Sequence, residues 1–133
     1  TDINVTLWEK LVFISALSGM TCICRANMDE ILENCTTAGM TVRILDETSK
    51  VGRAIGVNLD SGIVGNVMNQ LQKDKLELVS SMYMDLLAGK PLEVANINGA
   101  VSSIGDRVGV ETPVNDFITM SLSVAHKRAM QLE

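Results

Sequence analysis

Thr112-Pro113-Val114-Asn115-Asp116-Phe117-Ile118-Thr119-Met120-Ser121-Leu122-Ser123-Val124-Ala125-His126-Lys127-Arg128-Ala129 carries a helix start, a helical stripe and a helix end in one stretch. Thr112 is a candidate N-cap. Pro113 stands at the first helical position, where a missing N–H costs no hydrogen bond. Val114, Phe117, Ile118, Leu122 and Ala125 recur at three- and four-residue steps, which gathers them on one helical face. Lys127 and Arg128 fall in the last turn, where cations complement the carbonyl end, so the helix is expected to finish near Ala129.

The same periodicity extends back along the chain. A helix from Asp2 or Thr6 is expected through Leu7, Leu11, Ile14 and Leu17, loosened at Gly19 and followed by a turn through Arg25. Met28 to Leu32 reads as a short helical piece. Thr36 or Thr37 is expected to cap a longer helix carrying Met40, Ile44, Val51 and Ile55, ended by Gly56. Asn58 or Asp60 opens the next, with Ile63, Val64, Val67, Met68 and Leu71 inward and the polar run Gln72 to Lys75 as a solvated turn. Ser80 or Ser81 caps a helix over Met82 to Ala88, stopped by Gly89. A further helix is expected from about Ala95 to Val108, with Gly109 beyond its end. No strand alternation persists and no internal repeat is visible. The pattern predicts an all-α fold, a compact bundle of six or seven helices.

Composition agrees with one such domain. The chain has 133 residues, enough to bury roughly two-thirds of its unfolded surface. Apolar residues make up 47%, yet only one Trp, one Tyr and two Phe occur, so aliphatic side chains and eight Met fill the core. The net charge of −5, without a basic run or an aromatic platform, argues against nucleic-acid binding. Cys22, Cys24 and Cys35 are odd in number and sit among apolar residues. They read as reduced thiols of a cytoplasmic protein rather than a metal site, because the CxC pair has no second pair and His126 is remote in sequence. The apolar run Leu11 to Ile23 is short and interrupted by Ser and Gly, and no basic segment precedes it, so neither a membrane span nor a signal peptide is expected. A chain opening at Thr1 is expected to be an excised domain or a trimmed chain.

Four segments, in order, carry a resemblance. Leu7-Trp8-Glu9-Lys10-Leu11 has the form W-x-K-L. Ser80-Ser81-Met82-Tyr83-Met84-Asp85, continuing through Gly89 to Glu93, has the form S-S-M-x-x-D-x-x-x-G-x-x-x-E. Asn98-Gly99 follows, then Gly105 to Gly109-Val110 and Thr112-Pro113-Val114-Asn115. Together they resemble the C-terminal domain of the ketopantoate reductase (2-dehydropantoate 2-reductase) family, from about Leu7 to Leu122. The resemblance implies a helical domain like that of the 6-phosphogluconate dehydrogenase C-terminal group, spanning residues 1–133. It also implies an N-terminal Rossmann domain that holds NADP and is absent from this chain, which contains no G-x-G-x-x-G after a strand. The implied reaction is NADPH-dependent reduction of ketopantoate to pantoate, towards pantothenate, with a small 2-keto acid as substrate and a homodimer as a possible assembly.

Site residues follow from the same resemblance. Hydride arrival at a ketone carbon leaves charge on oxygen that a positioned acid must neutralise. Lys10 matches the family's catalytic lysine, and Glu93 matches the carboxylate that holds it. Ser81 matches the serine that binds the substrate carboxylate, a hydroxyl at a helix start beside free N–H groups. Ser18 and Asn98 complete the implied substrate-binding set, Asn98 reading mainly as a capping or turn amide and Asp85 as a helix-surface contact. Without the resemblance, Lys10 reads as a surface lysine, Glu93 as a solvated turn residue and Ser81 as a plain cap. One departure stands out. Ile14 and Ser18 lie four and eight residues after Lys10 on one helical stripe, where many family members have asparagines. This points to altered substrate recognition and to a different 2-keto acid as the alternative substrate. A non-enzymatic alternative is a helical module whose apolar faces mediate dimerisation.

Overall fold

The computed structural model describes residues 2–132, and these form α-helices and one 3-10 turn, with no strand among them. In chain order they are α1 (Ile3–Cys24), α2 (Met28–Glu33), α3 (Cys35–Ala54), α4 (Ile63–Asp74), α5 (Ser81–Leu87), the 3-10 turn Glu93–Asn96, α6 (Asn98–Val108) and α7 (Pro113–Gln131). The expected all-α bundle is what forms.

Helix α1 is the axis of the domain, packing on α2, α3, α5 and α7. Its second half is buried from Ser15 to Cys22, with Ala16 and Met20 fully enclosed. Because α1 begins at Ile3, it is 22 residues long, and its length and composition alone would let it cross a membrane. The helix is longer than the apolar run Leu11 to Ile23 from which no span was expected. Half of its most apolar window is instead covered by the other helices.

Gly19 does not loosen α1, which runs straight through it. A Cβ there would lie 2.8 Å from Ile118 Cδ1 and 3.0 Å from Asn98 Nδ2, so the glycine is needed for the close approach of α6 and α7. Nearer the start of α1, the ring of Trp8 lies on Gly52 of α3, where a Cβ would come within 2.9 Å of Trp8 Cε3. This contact fixes the end of the helix from which Lys10 projects.

Helix boundaries depart from the sequence expectation in four places. Asn34, not Thr36 or Thr37, caps α3, its Oδ1 accepting the N–H groups of Thr36 (2.9 Å) and Thr37 (3.3 Å). An Asn side chain one position before the helix reaches those donors directly, and Thr37 instead donates to the Ile31 carbonyl at 2.6 Å. Helix α4 starts at Ile63 rather than at Asn58 or Asp60, and Asp60 accepts the Ile63 N–H through its backbone carbonyl. The helix expected from Ala95 is two elements, because the backbone breaks at Ile97 (φ −110, ψ −90) between the 3-10 turn and α6.

The fourth departure is α7. Thr112 occupies the N-cap position but does not cap with its side chain, which donates to Asp116 Oδ1 at 2.8 Å. The cap comes from α3. Buried Glu47 accepts the backbone N–H groups of Val114 (2.9 Å) and Asn115 (3.0 Å) and the Asn115 side-chain N–H (2.9 Å). Replacing Glu47 with Ala strands these donors inside the protein, and is expected to destabilise the domain by about 3 kcal/mol, since each unsatisfied buried group costs about 1–3 kcal/mol less what relaxation and water recover. Urea unfolding measures this. A loss below about 0.5 kcal/mol would mean that the cap is dispensable.

The thiols are graded by burial. Burial pushes the buried Cys22 thiol up to about 12, only partly countered by a hydrogen bond from Ser80, and raises Cys24 as well, while Cys35 is exposed at the start of α3. Since the thiolate is the reactive form, a maleimide reagent on native protein at pH 7 is expected to modify Cys35 first and to spare Cys22 until the chain is unfolded. Mass spectrometry of the labelled peptides checks the order, and early labelling of Cys22 would contradict this burial.

Candidate active site

Lys10 lies on α1 two residues after Trp8. Two helical steps rotate a side chain by about 200°, so the ammonium leaves the face that Trp8 packs into α3 and stands exposed. Two ion pairs form among the described residues, Lys50 with Asp46 and Lys75 with Asp29, and Lys10 belongs to neither.

The stripe that starts at Lys10 sinks into the domain. Ile14 is half-buried and Ser18 is 4% exposed. Ser18 stands about 12 Å further along the axis, at 1.5 Å per residue. The residue is therefore set well back from the surface that carries Lys10.

Ser80 and Ser81 divide their roles. Ser80 is the N-cap of α5: its buried Oγ accepts the Tyr83 N–H at 3.0 Å and shares a 2.8 Å hydrogen bond with Thr21 Oγ1 on α1. Ser81 begins the helix and is exposed. The capping function thus falls to its neighbour, which leaves the Ser81 hydroxyl facing solvent and ties its backbone to the helix that carries Lys10.

Glu93 is exposed at the start of the 3-10 turn, between the buried side chains of Leu92 and Val94. Its Oε2 accepts from Asn96 Nδ2 at 3.2 Å. The turn packs against α6 and α7. Glu93 and Lys10 do not form an ion pair.

Asn98 is fully buried. Its Nδ2 donates to the Ser15 carbonyl and to Asn115 Oδ1, both at 3.0 Å. With Ser15 bonded to Thr48 at 2.9 Å and Asn115 bonded to Glu47, it belongs to a polar network joining α1, α3, α6 and α7. Sequence reasoning missed this network. Its one available signal is that Glu47 and Thr48 fall on the stripe of Ile44 and Val51, where polar residues on a buried face need partners.

The structure thus packs Asn98 against Gly19, the residue after Ser18, and links Ser81 to α1 through Ser80 and Thr21. It leaves Lys10, Ser81 and Glu93 on the surface. A groove of about 740 Å³ lies elsewhere, between α3 and α7, lined by Cys35, Met40, Arg43, Val114 and Phe117 among others. Among the described residues there is no strand leading into a glycine-rich turn.

Comparison with known proteins bears on what such a surface is for. Residues 2–126 match the family described as ketopantoate reductase PanE/ApbA C terminal. A 2-dehydropantoate 2-reductase of Archaeoglobus fulgidus is 31% identical over 114 residues, covering 86% of this chain and 38% of that protein. The dimeric ketopantoate reductase from Staphylococcus aureus superposes with a TM-score of 0.90 at 25% identity, over 97% of this chain and 45% of that one. The complex of D-mandelate dehydrogenase with NADH gives 0.82 at 28% identity, over 99% of this chain and 50% of that one. The chain therefore spans half or less of the length of these relatives. Its helical fold, its four ordered motifs and a match running through nearly every residue together make it a member of the ketopantoate reductase PanE/ApbA C-terminal family.

Proposed function

We propose that residues 1–133 are the substrate-binding helical domain of an NADP-dependent 2-keto acid reductase, with ketopantoate as the leading substrate. The supporting observation is the family match over residues 2–126 together with the surface placement of Lys10, Ser81 and Glu93. In this reading the dinucleotide is held by residues outside this chain, in a Rossmann domain such as the greater length of the relatives has room for. The nicotinamide, when bound there, supplies hydride.

The residues of this chain handle the substrate. The Lys10 ammonium lies against the ketone oxygen, stabilises the negative charge that develops there and donates its proton. Glu93 keeps the ammonium charged and aimed. Ser81 donates its hydroxyl to the substrate carboxylate. Asn98, which is interior, holds α6 to α1 and α7 behind these groups, and Ser18 continues the Lys10 stripe into the domain as the innermost member of the implied substrate-binding set. A cytoplasmic location goes with this role and suits three free thiols.

A second reading concerns the substrate. Ile14 offers a half-buried apolar wall one turn beyond Lys10, and the mandelate dehydrogenase neighbour, by its name, handles an acid with a phenyl group. A 2-keto acid with an aromatic or branched apolar side chain is the alternative. Assembly has a structural counterpart too: α7 exposes Phe117, Met120 and Val124, an apolar strip suited to a second copy of a protein whose staphylococcal relative is dimeric. This strip is also a feature that favours a pure interaction module.

In the intact protein, Lys10→Met is expected to lower kcat by about 10²- to 10⁴-fold, the usual contribution of a positioned acid, while NADPH binding stays unchanged. NADPH consumption with ketopantoate and with benzoylformate checks the role and ranks the two substrates. Wild-type turnover in the variant, or an intact protein that binds NADPH yet reduces neither acid nor any other in a broad 2-keto acid panel, would refute the proposal.

A further inference from the structure

Glu93 owes its place to its backbone, which on the N-terminal side is tied to α5 by the Lys90 N–H donating to the Asp85 carbonyl at 2.9 Å and, beyond Pro91, to α7 by a single directional bond. Pro91 carries no N–H, so the first donor after it is Leu92. That N–H donates to Nδ1 of His126 on α7 at 2.9 Å, a bond across 34 positions of sequence. A histidine nitrogen accepts only through its lone pair, so this bond engages the Nδ1 lone pair of the ring. On the other side the turn rests on α6, where a Cβ at Gly99 would lie 3.2 Å from the Val94 carbonyl oxygen. Leu92 and Val94 are buried anchors, but apolar contacts do not set direction as a hydrogen bond does.

We infer that His126 is a positioning residue for Glu93: by accepting the Leu92 N–H it sets the angle at which the 3-10 turn presents the carboxylate. This rests on the reading of Glu93 as the partner of Lys10. His126 touches neither substrate nor cofactor in this role and acts through the main chain of Leu92.

The test uses the intact enzyme and four variants: H126A, H126N, E93Q and the double variant H126A/E93Q. Asparagine places its Oδ1 near the position of the histidine Nδ1, so H126N keeps an acceptor while H126A removes it. H126A is expected to lower kcat about 10-fold, within the range that a small displacement of a catalytic group costs. H126N is expected to recover most of that loss. In the E93Q background H126A is expected to add little, because two residues acting through one group are not additive. A purely structural role predicts the opposite, a loss that multiplies with that of E93Q. Wild-type kcat in H126A, or multiplicative losses in the double variant, would overturn the assignment of His126 while leaving Glu93 in place. Wild-type kcat in E93Q would overturn both. Should H126A fail to fold by circular dichroism, H126Q replaces it, since its acceptor sits one bond further out and misses the Leu92 N–H.

Discussion

The constraint on which the rest of the domain depends is the buried carboxylate of Glu47. Three N–H groups at the start of α7 converge on it from 67 and 68 positions further along the chain. Asn115, held by that carboxylate, accepts from Asn98, and Asn98 donates in turn to the carbonyl of Ser15 on α1. One charge in the interior thereby aligns α3, α7, α6 and α1. Apolar contacts among residues such as Val12, Ala16, Met20, Ile44, Leu45 and Ile118 form the core around it. They are non-directional, and the polar chain gives the bundle a single register.

That register positions the surface groups. With α1 locked to α6 through Ser15 and to α5 through Thr21 and Ser80, the exposed Lys10 and Ser81 belong to one rigid unit. Glu93 joins through a different route, the 3-10 turn resting on α6 and α7. The three groups therefore stand on elements tied to the same buried network, although none of them belongs to it. A cluster of interior amides and hydroxyls acts here as scaffolding for charges that remain in solvent.

Local signals were legible in the sequence and distant ones were not. Pro113 at the head of α7, Gly109 beyond α6 at φ +75 and the short helix from Met28 were all readable, because each is decided within a few residues. Thr112 looked like a cap, but the group that caps lies on another helix, and no local pattern reports that. Gly19 read as a weak point because glycine disfavours helices in isolation. Its reason for being there is Ile118, almost a hundred residues away in sequence. Among site residues, Lys10, Ser81 and Glu93 were visible only as an ordered motif set, since an exposed Lys, Ser and Glu have no distinctive local chemistry. The choice between Ser80 and Ser81 as the cap of α5 was open in the sequence, and Thr21 decides it by engaging Ser80.

The exposure of Lys10 and Glu93 has a consequence for how such a domain does chemistry. Two opposite charges 4 Å apart interact by about 1 kcal/mol in bulk water but by about 4 kcal/mol where the effective dielectric falls to 20. An ammonium in open solvent is therefore a poor stabiliser of a developing oxyanion, however well its helix holds it. Under the proposed function, the gain comes when bound substrate and the rest of the intact protein exclude water from around Lys10 and Glu93. Pre-orientation must then be supplied by the helical half alone, because a flexible lysine or a wandering turn would lose in ordering entropy what closure contributes in field strength. The contacts behind these residues, Trp8 against Gly52, Ser80 with Thr21 and His126 with Leu92, are the parts of the fold that supply it.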